Sequence, residues 1–134
     1  MQITNLELLE TKAALEALGA QSVKNVERPD REIAKKIRRN ALAIVRALRE
    51  YEWDRQELVS AFAERDKRDK KIIVDGTVKI GDTRGFSDKI AEIQADAVEV
   101  AVELFSEDQF IAIGKRYVIT SNQLAALDWL VVSE

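Results

Sequence analysis

Five cations and one tryptophan carry the most organised chemistry in this sequence. Arg31, Lys35, Arg38, Arg46 and Arg49 recur at spacings that put them within about 80° of one another on a helix. Trp53 falls in the same sector. A basic stripe ending in an aromatic side chain can track a phosphate backbone, with the indole stacking on a base. The plainer reading is a solvated helix face with Trp53 packed on the domain or on a partner. The following turns carry Glu50, Glu52, Asp54 and Glu57, which repel a polyanion continuing in that direction. The stripe thus speaks weakly for nucleic acid and better for a charged protein partner.

Other reactive groupings are sparse. The chain has no His and no Cys, which removes the commonest general base, the commonest zinc ligand, disulfides and thiolate chemistry. Glu64, Asp66 and Asp69 could be read as a cation site, but Lys67, Arg68, Lys70 and Lys71 are interleaved with them and no calcium-loop spacing is present. The segment Gly81-Asp82-Thr83-Arg84-Gly85 has two glycines without Walker or dinucleotide spacing, so it reads as a turn. Glu99 and Glu103 sit on an element surface without any sign of a cleft. No Ser, Thr or Lys has a base placed beside it by a recognisable motif. The expectation is a protein that is not an enzyme and needs no cofactor or metal.

The element that must carry the stripe is a long helix. Pro29 and Asp30 suit its start, and an amphipathic pattern runs from there to about residue 65. Ile33, Ile37, Ala41, Ile44, Val45 and Leu48 share an arc of about 120° opposite the cations, with Tyr51, Leu58, Val59 and Phe62 close to it. Arg55 falls inside that arc and is read either as a side chain reaching back to water or as a salt bridge across an interface. A helix of this length would span roughly 50 Å, more than a compact domain of this size. Part of it must therefore project, pair with another chain, or break. The pairing reading makes Ile37, Ile44, Leu48, Arg55 and Phe62 an oligomer seam and leaves the stripe outward.

With 134 residues, a net charge of −3, 34% charged residues and a single proline, the chain is sized for one helix-rich domain. A first helix is predicted over about 5–18, capped by Thr4 or Asn5 and closed at Gly19, followed by a polar connector over 20–28. A β-hairpin over about 71–80 turns at Asp75-Gly76, flanked by β-branched runs. A helix over about 83–97 precedes a strand over about 98–105, where alternation competes with a helical pattern. Ser106 opens a short helical turn ending at Gly114, Tyr117-Val118-Ile119 reads as a strand, and a C-terminal helix covers about 121–132. The predicted fold is α+β: a long helical hairpin-like core, a small hairpin or antiparallel sheet, and a C-terminal helix.

Several features, taken in order, resemble a known family. A long helix ends in Tyr51-Glu52-x-Asp54-Arg55-x-Glu57-Leu58-Val59, and a Lys-rich link leads to Val74-Asp75-Gly76-x-x-Lys79-Ile80. Asp82-x-x-Gly85-Phe86 then opens the next helix, Val98-Glu99-Val100 follows, and Ile119, Leu124 and Leu127 mark the C-terminal block. This pattern resembles small accessory proteins of tailed bacteriophages and prophages of the siphovirus type, over most of residues 30–130. The resemblance implies a phage product acting in virion morphogenesis or host takeover, with no catalytic residues to carry over. The leading expectation is a protein-binding accessory, chaperone or structural component in tail or virion assembly. The alternatives are an inhibitor of a host defence or host enzyme, and a nucleic-acid-binding module using the stripe. Partners are expected to be phage or host proteins, or further copies of the chain, with nucleic acid less favoured. The N-terminus lacks the basic and apolar regions of a signal peptide, and no apolar run approaches bilayer length. The expected location is the host-cell cytoplasm, or the virion.

Overall fold

The computed structural model of the chain describes residues 1–21 and 28–132, the side chains of 28–30 excepted. Most of the connector expected over 20–28, and the side-chain roles expected of Pro29 and Asp30, lie outside the described residues. The fold is α+β, with helices α1 (Asn5–Gly19), α2 (Arg28–Ala47), α3 (Arg49–Phe62), α4 (Thr83–Ala95), α5 (Glu107–Arg116) and α6 (Ser121–Leu127). Four short strands, β1 (Gln2–Thr4), β2 (Ile73–Val74), β3 (Thr77–Val78) and β4 (Ala97–Glu99), form two antiparallel pairs, β1 with β4 and β2 with β3.

The core is made by α1, α2, α5, α6 and the extended chain between β4 and α5. Thr4 caps α1 by accepting from the amide of Glu7 at 3.2 Å, and the helix buries Leu8, Leu15 and Leu18 along one face. These meet Ile33, Ile37, Ile44 and Leu48 of α2, together with Phe105, Ile113, Leu127 and Leu130. At roughly 1.5–3 kcal/mol for each large aliphatic side chain withdrawn from water, this cluster is the main source of stability. Ser106 and Thr120 each head a capping box, on α5 and α6, so these helix starts are set locally.

The long helix of the sequence pattern is two helices. Leu48 has ψ near 0° instead of the helical value near −42°, and it divides α2 from α3. The interruption is shallow, because Leu48 N–H still donates to Ile44 O and Glu52 N–H to Leu48 O, both at 2.9 Å. It is enough to end the shared phase of the apolar arc. Tyr51 is the last buried residue of this stretch, while Arg55 and Val45, both placed in the arc by periodicity, are exposed.

From Glu52 to Glu99 no residue is buried. This arm contains most of α3, the β2–β3 hairpin and α4. The hairpin turns at Asp75 and Gly76, whose φ values of 50° and 77° are the pair that a type I′ turn demands. Residues 63–65 close it into a three-segment ring: Glu64 N–H donates to Lys79 O, Lys79 N–H to Ile72 O and Ile72 N–H to Glu64 O. Phe62 meets Phe86 edge-on, with ring centroids 6.1 Å apart. Gly85 lies against this pair, and a Cβ there would collide with the Asp82 carboxylate, which accepts from Gly85 N–H as the cap of α4.

The strand expected over 98–105 shortens to β4. Phe105, at its far end, bonds the backbone of Leu130 and Val132, and at the near end Ala97–Glu99 pairs with β1, which the sequence did not signal, with Val100 N–H donating to Met1 O at 3.1 Å. Further along, an α2 side chain takes the neighbour's place: Asn40 donates to Glu103 O and accepts from Glu103 N–H, both at 2.8 Å. The expected strand at Tyr117–Ile119 is replaced in the same way. Gln21 donates to Val118 O at 2.7 Å and accepts from Val118 N–H at 2.9 Å. α5 also runs past Gly114 to Arg116, and the C-terminal helix ends at Leu127, followed by a 3₁₀ turn over Asp128–Leu130.

Candidate partner-binding surfaces

The helix α2 has three faces, and each has a different job. One packs Ile33, Ile37 and Ile44 into the core. The second grips the extended segment before α5: besides Asn40, Lys36 donates to Leu104 O at 2.9 Å and to the Gln109 side chain at 2.8 Å, and Arg39 pairs with Glu103 at 3.3 Å. The third is the outward stripe. Arg31, Lys35, Arg38, Arg46, Arg49 and Trp53 are all exposed, the last two standing on α3 beyond the break.

Among the described residues Arg31, Arg38, Arg46 and Arg49 have no ion pair, while Lys35 lies 3.7 Å from Glu32. Periodicity did not single out Leu42, yet it stands in the middle of this face with 50% of its surface exposed. Trp53 is 67% exposed, and its Nε1–H donates to Glu57 at 2.8 Å, so the indole is held flush with α3 instead of buried. An exposed leucine and tryptophan among unpaired arginines make a surface suited to a macromolecular partner.

The residues read as an oligomer seam do not form one surface. Ile37, Ile44 and Leu48 lie inside the chain's own core, Arg55 is exposed, and Phe62 is half-buried against Phe86 in the arm. The physical reason is that α1 already covers the apolar arc of α2. Among the described residues nothing covers α3 at Arg55, because the core ends at Tyr51.

No known protein-family model, curated protein or solved structure matches this chain. Its surfaces must therefore be read from their own chemistry. Among the described residues no cluster of acidic side chains could hold a metal ion, and no helix is long and apolar enough to cross a membrane.

The second surface is the tip of the arm. Here the sequence shows mixed charge, and the structure sorts it. The Asp66 carboxylate accepts from the amides of Arg68 at 2.8 Å and Lys70 at 3.0 Å, building a tight turn that Asp69 completes at φ 60°. Glu64 pairs with Lys79 at 3.1 Å, and Asp69 faces Arg65 at 3.9 Å. Glu64 and Asp66 are thus committed to holding the tip, while the Asp69 carboxylate stands in solvent. Lys67, Arg68, Lys70 and Lys71 extend from it without ion pairs among the described residues. Beside them Ile73 and Val74 are 63% and 52% exposed on β2, where successive side chains point to opposite faces of the ribbon.

Proposed function

We propose that this protein is a non-enzymatic factor of a tailed bacteriophage or prophage, and that it works by protein–protein contact in tail or virion assembly. One observation carries the contact reading: the arm from Glu52 to Glu99 is ordered into helices and a hairpin although none of its residues is buried. Ordering each residue costs about 1–2 kcal/mol, and an arm that buries little repays that cost poorly within the chain. Its surface, with Ile73 and Val74 beside unpaired cations, is the part that gains most from a partner. The phage and assembly parts of the proposal rest on the resemblance of the motifs Tyr51-Glu52-x-Asp54-Arg55, Asp75-Gly76 and Gly85-Phe86.

A photo-crosslinking amino acid at Ile73 or Val74, introduced in infected cells, tests the reading. The expected adduct is a virion or tail protein of the phage, absent when the probe is moved to Val118, which is exposed elsewhere on the molecule. A host enzyme captured at Ile73 instead would replace assembly by inhibition. Equal adducts at Ile73 and Val118 would remove the arm as the contact surface.

A further inference from the structure

The helices and hairpin of the arm join the core through two crossings that lie side by side. α3 leaves the core just past Leu48, and α4 returns to it where Asp96 ends the helix and β4 begins. The Gln94 side chain approaches the Tyr51 hydroxyl at 3.5 Å, so the two crossings meet. Between residues 52 and 95, Ile93 is the one apolar side chain that packs against the core cluster. Asn5, the first residue of α1, supplies a polar clasp beside it. It is buried, its Nδ2 donates to Ile93 O at 2.8 Å, and its N–H donates to Asp96 O at 2.9 Å. A carbonyl in the last turn of α4, where no helical donor remains, is thus capped from another element.

We propose that the arm is a rigid lever that turns on these two crossings, with Asn5 as its latch. Each crossing stands at an element end, where a few residues absorb a rotation. At Leu48 the backbone already leaves helical ψ, yet Leu48 N–H still donates to Ile44 O and Glu52 N–H to Leu48 O. The rod bends there without breaking its ladder. At Asp96 the chain passes from helix to extended backbone, with φ −66° and ψ 133°. Tyr51, the one buried residue of α3, stands between the crossings, where a turn moves it least. The arm itself is braced by the Phe62–Phe86 contact, the hydrogen-bonded ring of residues 64, 72 and 79, and the Asp82 cap. It therefore moves as one piece. The 14 residues of α3 alone make the lever about 20 Å long, so a turn of about 15° displaces the tip by about 5 Å. A partner that grips Ile73 and Val74 then sets the angle of the arm and leaves the packing of the core untouched. The lever does not depend on which partner that is.

The chain has no cysteine, so pairs of introduced cysteines carry spin labels at chosen positions, and pulsed dipolar spectroscopy reads the distances between them. Lys67→Cys with Asp108→Cys spans arm and core, Lys67→Cys with Asp88→Cys lies within the arm, and Glu10→Cys with Asp108→Cys lies within the core. All four positions are exposed. The arm–core distribution is expected to be about twice as wide as either internal one, given a tip displacement of about 5 Å. Asn5→Ala should widen the arm–core distribution further and leave both internal ones unchanged. So should Asn5→Asp, which keeps the size of the side chain and offers Ile93 O no amide donor. An arm–core distribution as narrow as the core's overturns the lever. A within-arm distribution as wide as the arm–core one overturns it too, because the arm is then melting instead of turning. Asn5 variants that leave the arm–core distribution unchanged remove Asn5 as the latch. Variants that widen all three distributions together make Asn5 a brace of the whole fold, which also removes it as the latch. Crosslinking at Ile73 still tests the contact reading in each of these cases.

Discussion

The two halves of this molecule use similar amounts of regular structure to very different effect. The core half sets α1 across α2 and closes the cluster with Phe105, Ile113, Leu127 and Leu130, all essentially inaccessible to water. The arm has two helices and a hairpin of its own, yet its apolar residues, Leu58, Val59, Phe62, Phe86 and Ile90, are only partly withdrawn from water and none is fully buried. The difference is one of layers. A helix in the core is covered on two sides, by another helix and by extended chain, whereas α3 and α4 have mainly each other. The arm is therefore held by local devices: the Asp82 cap, the Asp66 turn, the ring of hydrogen bonds among residues 64, 72 and 79, and one edge-on aromatic pair. Such devices fix shape without supplying much burial. Shape without burial is what a contact surface needs.

The widest separation between the halves is expected from their phenylalanines. Phe105→Ala removes a fully buried ring whose backbone also bonds Leu130 and Val132, and should cost about 3–5 kcal/mol in denaturant unfolding. Phe62→Ala should cost clearly less globally. It should instead speed amide hydrogen exchange across the arm while leaving α1 protected, as expected for a region that opens locally. Uniform loss of protection in both halves would mean the two are one cooperative unit.

A smaller effect distinguishes the two side-chain clasps. Asn40 is buried and its two bonds to Glu103 are partly so, so Asn40→Ala removes a buried polar side chain and both partners of the Glu103 backbone and should cost about 1–3 kcal/mol by thermal or denaturant melting. Gln21→Ala frees Val118, which is exposed and can be satisfied by water, and should cost less than the Asn40 change. Equal losses would show that burial is not what gives the Asn40 clasp its weight.

These clasps also explain which parts of the fold were legible. The sequences around Val98–Leu104 and Tyr117–Ile119 have the composition of strands, but beyond the β1–β4 pairing Glu103 and Val118 are held by amide side chains, Asn40 of α2 and Gln21 just after α1. Periodicity and propensity report that a backbone wants to be extended. They do not report what satisfies its hydrogen bonds, and a lone Asn in mid-helix is the faint signal that one partner is a side chain. The hairpin was legible because Asp-Gly fixes its own turn, and the helix starts after Thr4, Ser106 and Thr120 were legible because caps are local.

The smallest expected effect concerns Arg55. Periodicity places it among buried residues, but in the structure it is exposed, so Arg55→Ala should change stability by no more than about 0.5 kcal/mol. A loss several times larger would mean that α3 is covered there by something the isolated chain lacks.

By itself the sequence determined the α+β class, the caps, the turn at Asp75-Gly76 and the basic stripe from Arg31 to Arg49, all features written in residues a few positions apart. Tertiary structure alone decided that the helix breaks at Leu48, that Ile37, Ile44 and Leu48 lie inside the chain's own core, and that Glu64 pairs with Lys79 across the arm's ring. The reason is that periodicity gives the direction of a side chain about its own helix axis, whereas burial depends on what another part of the chain brings to that side.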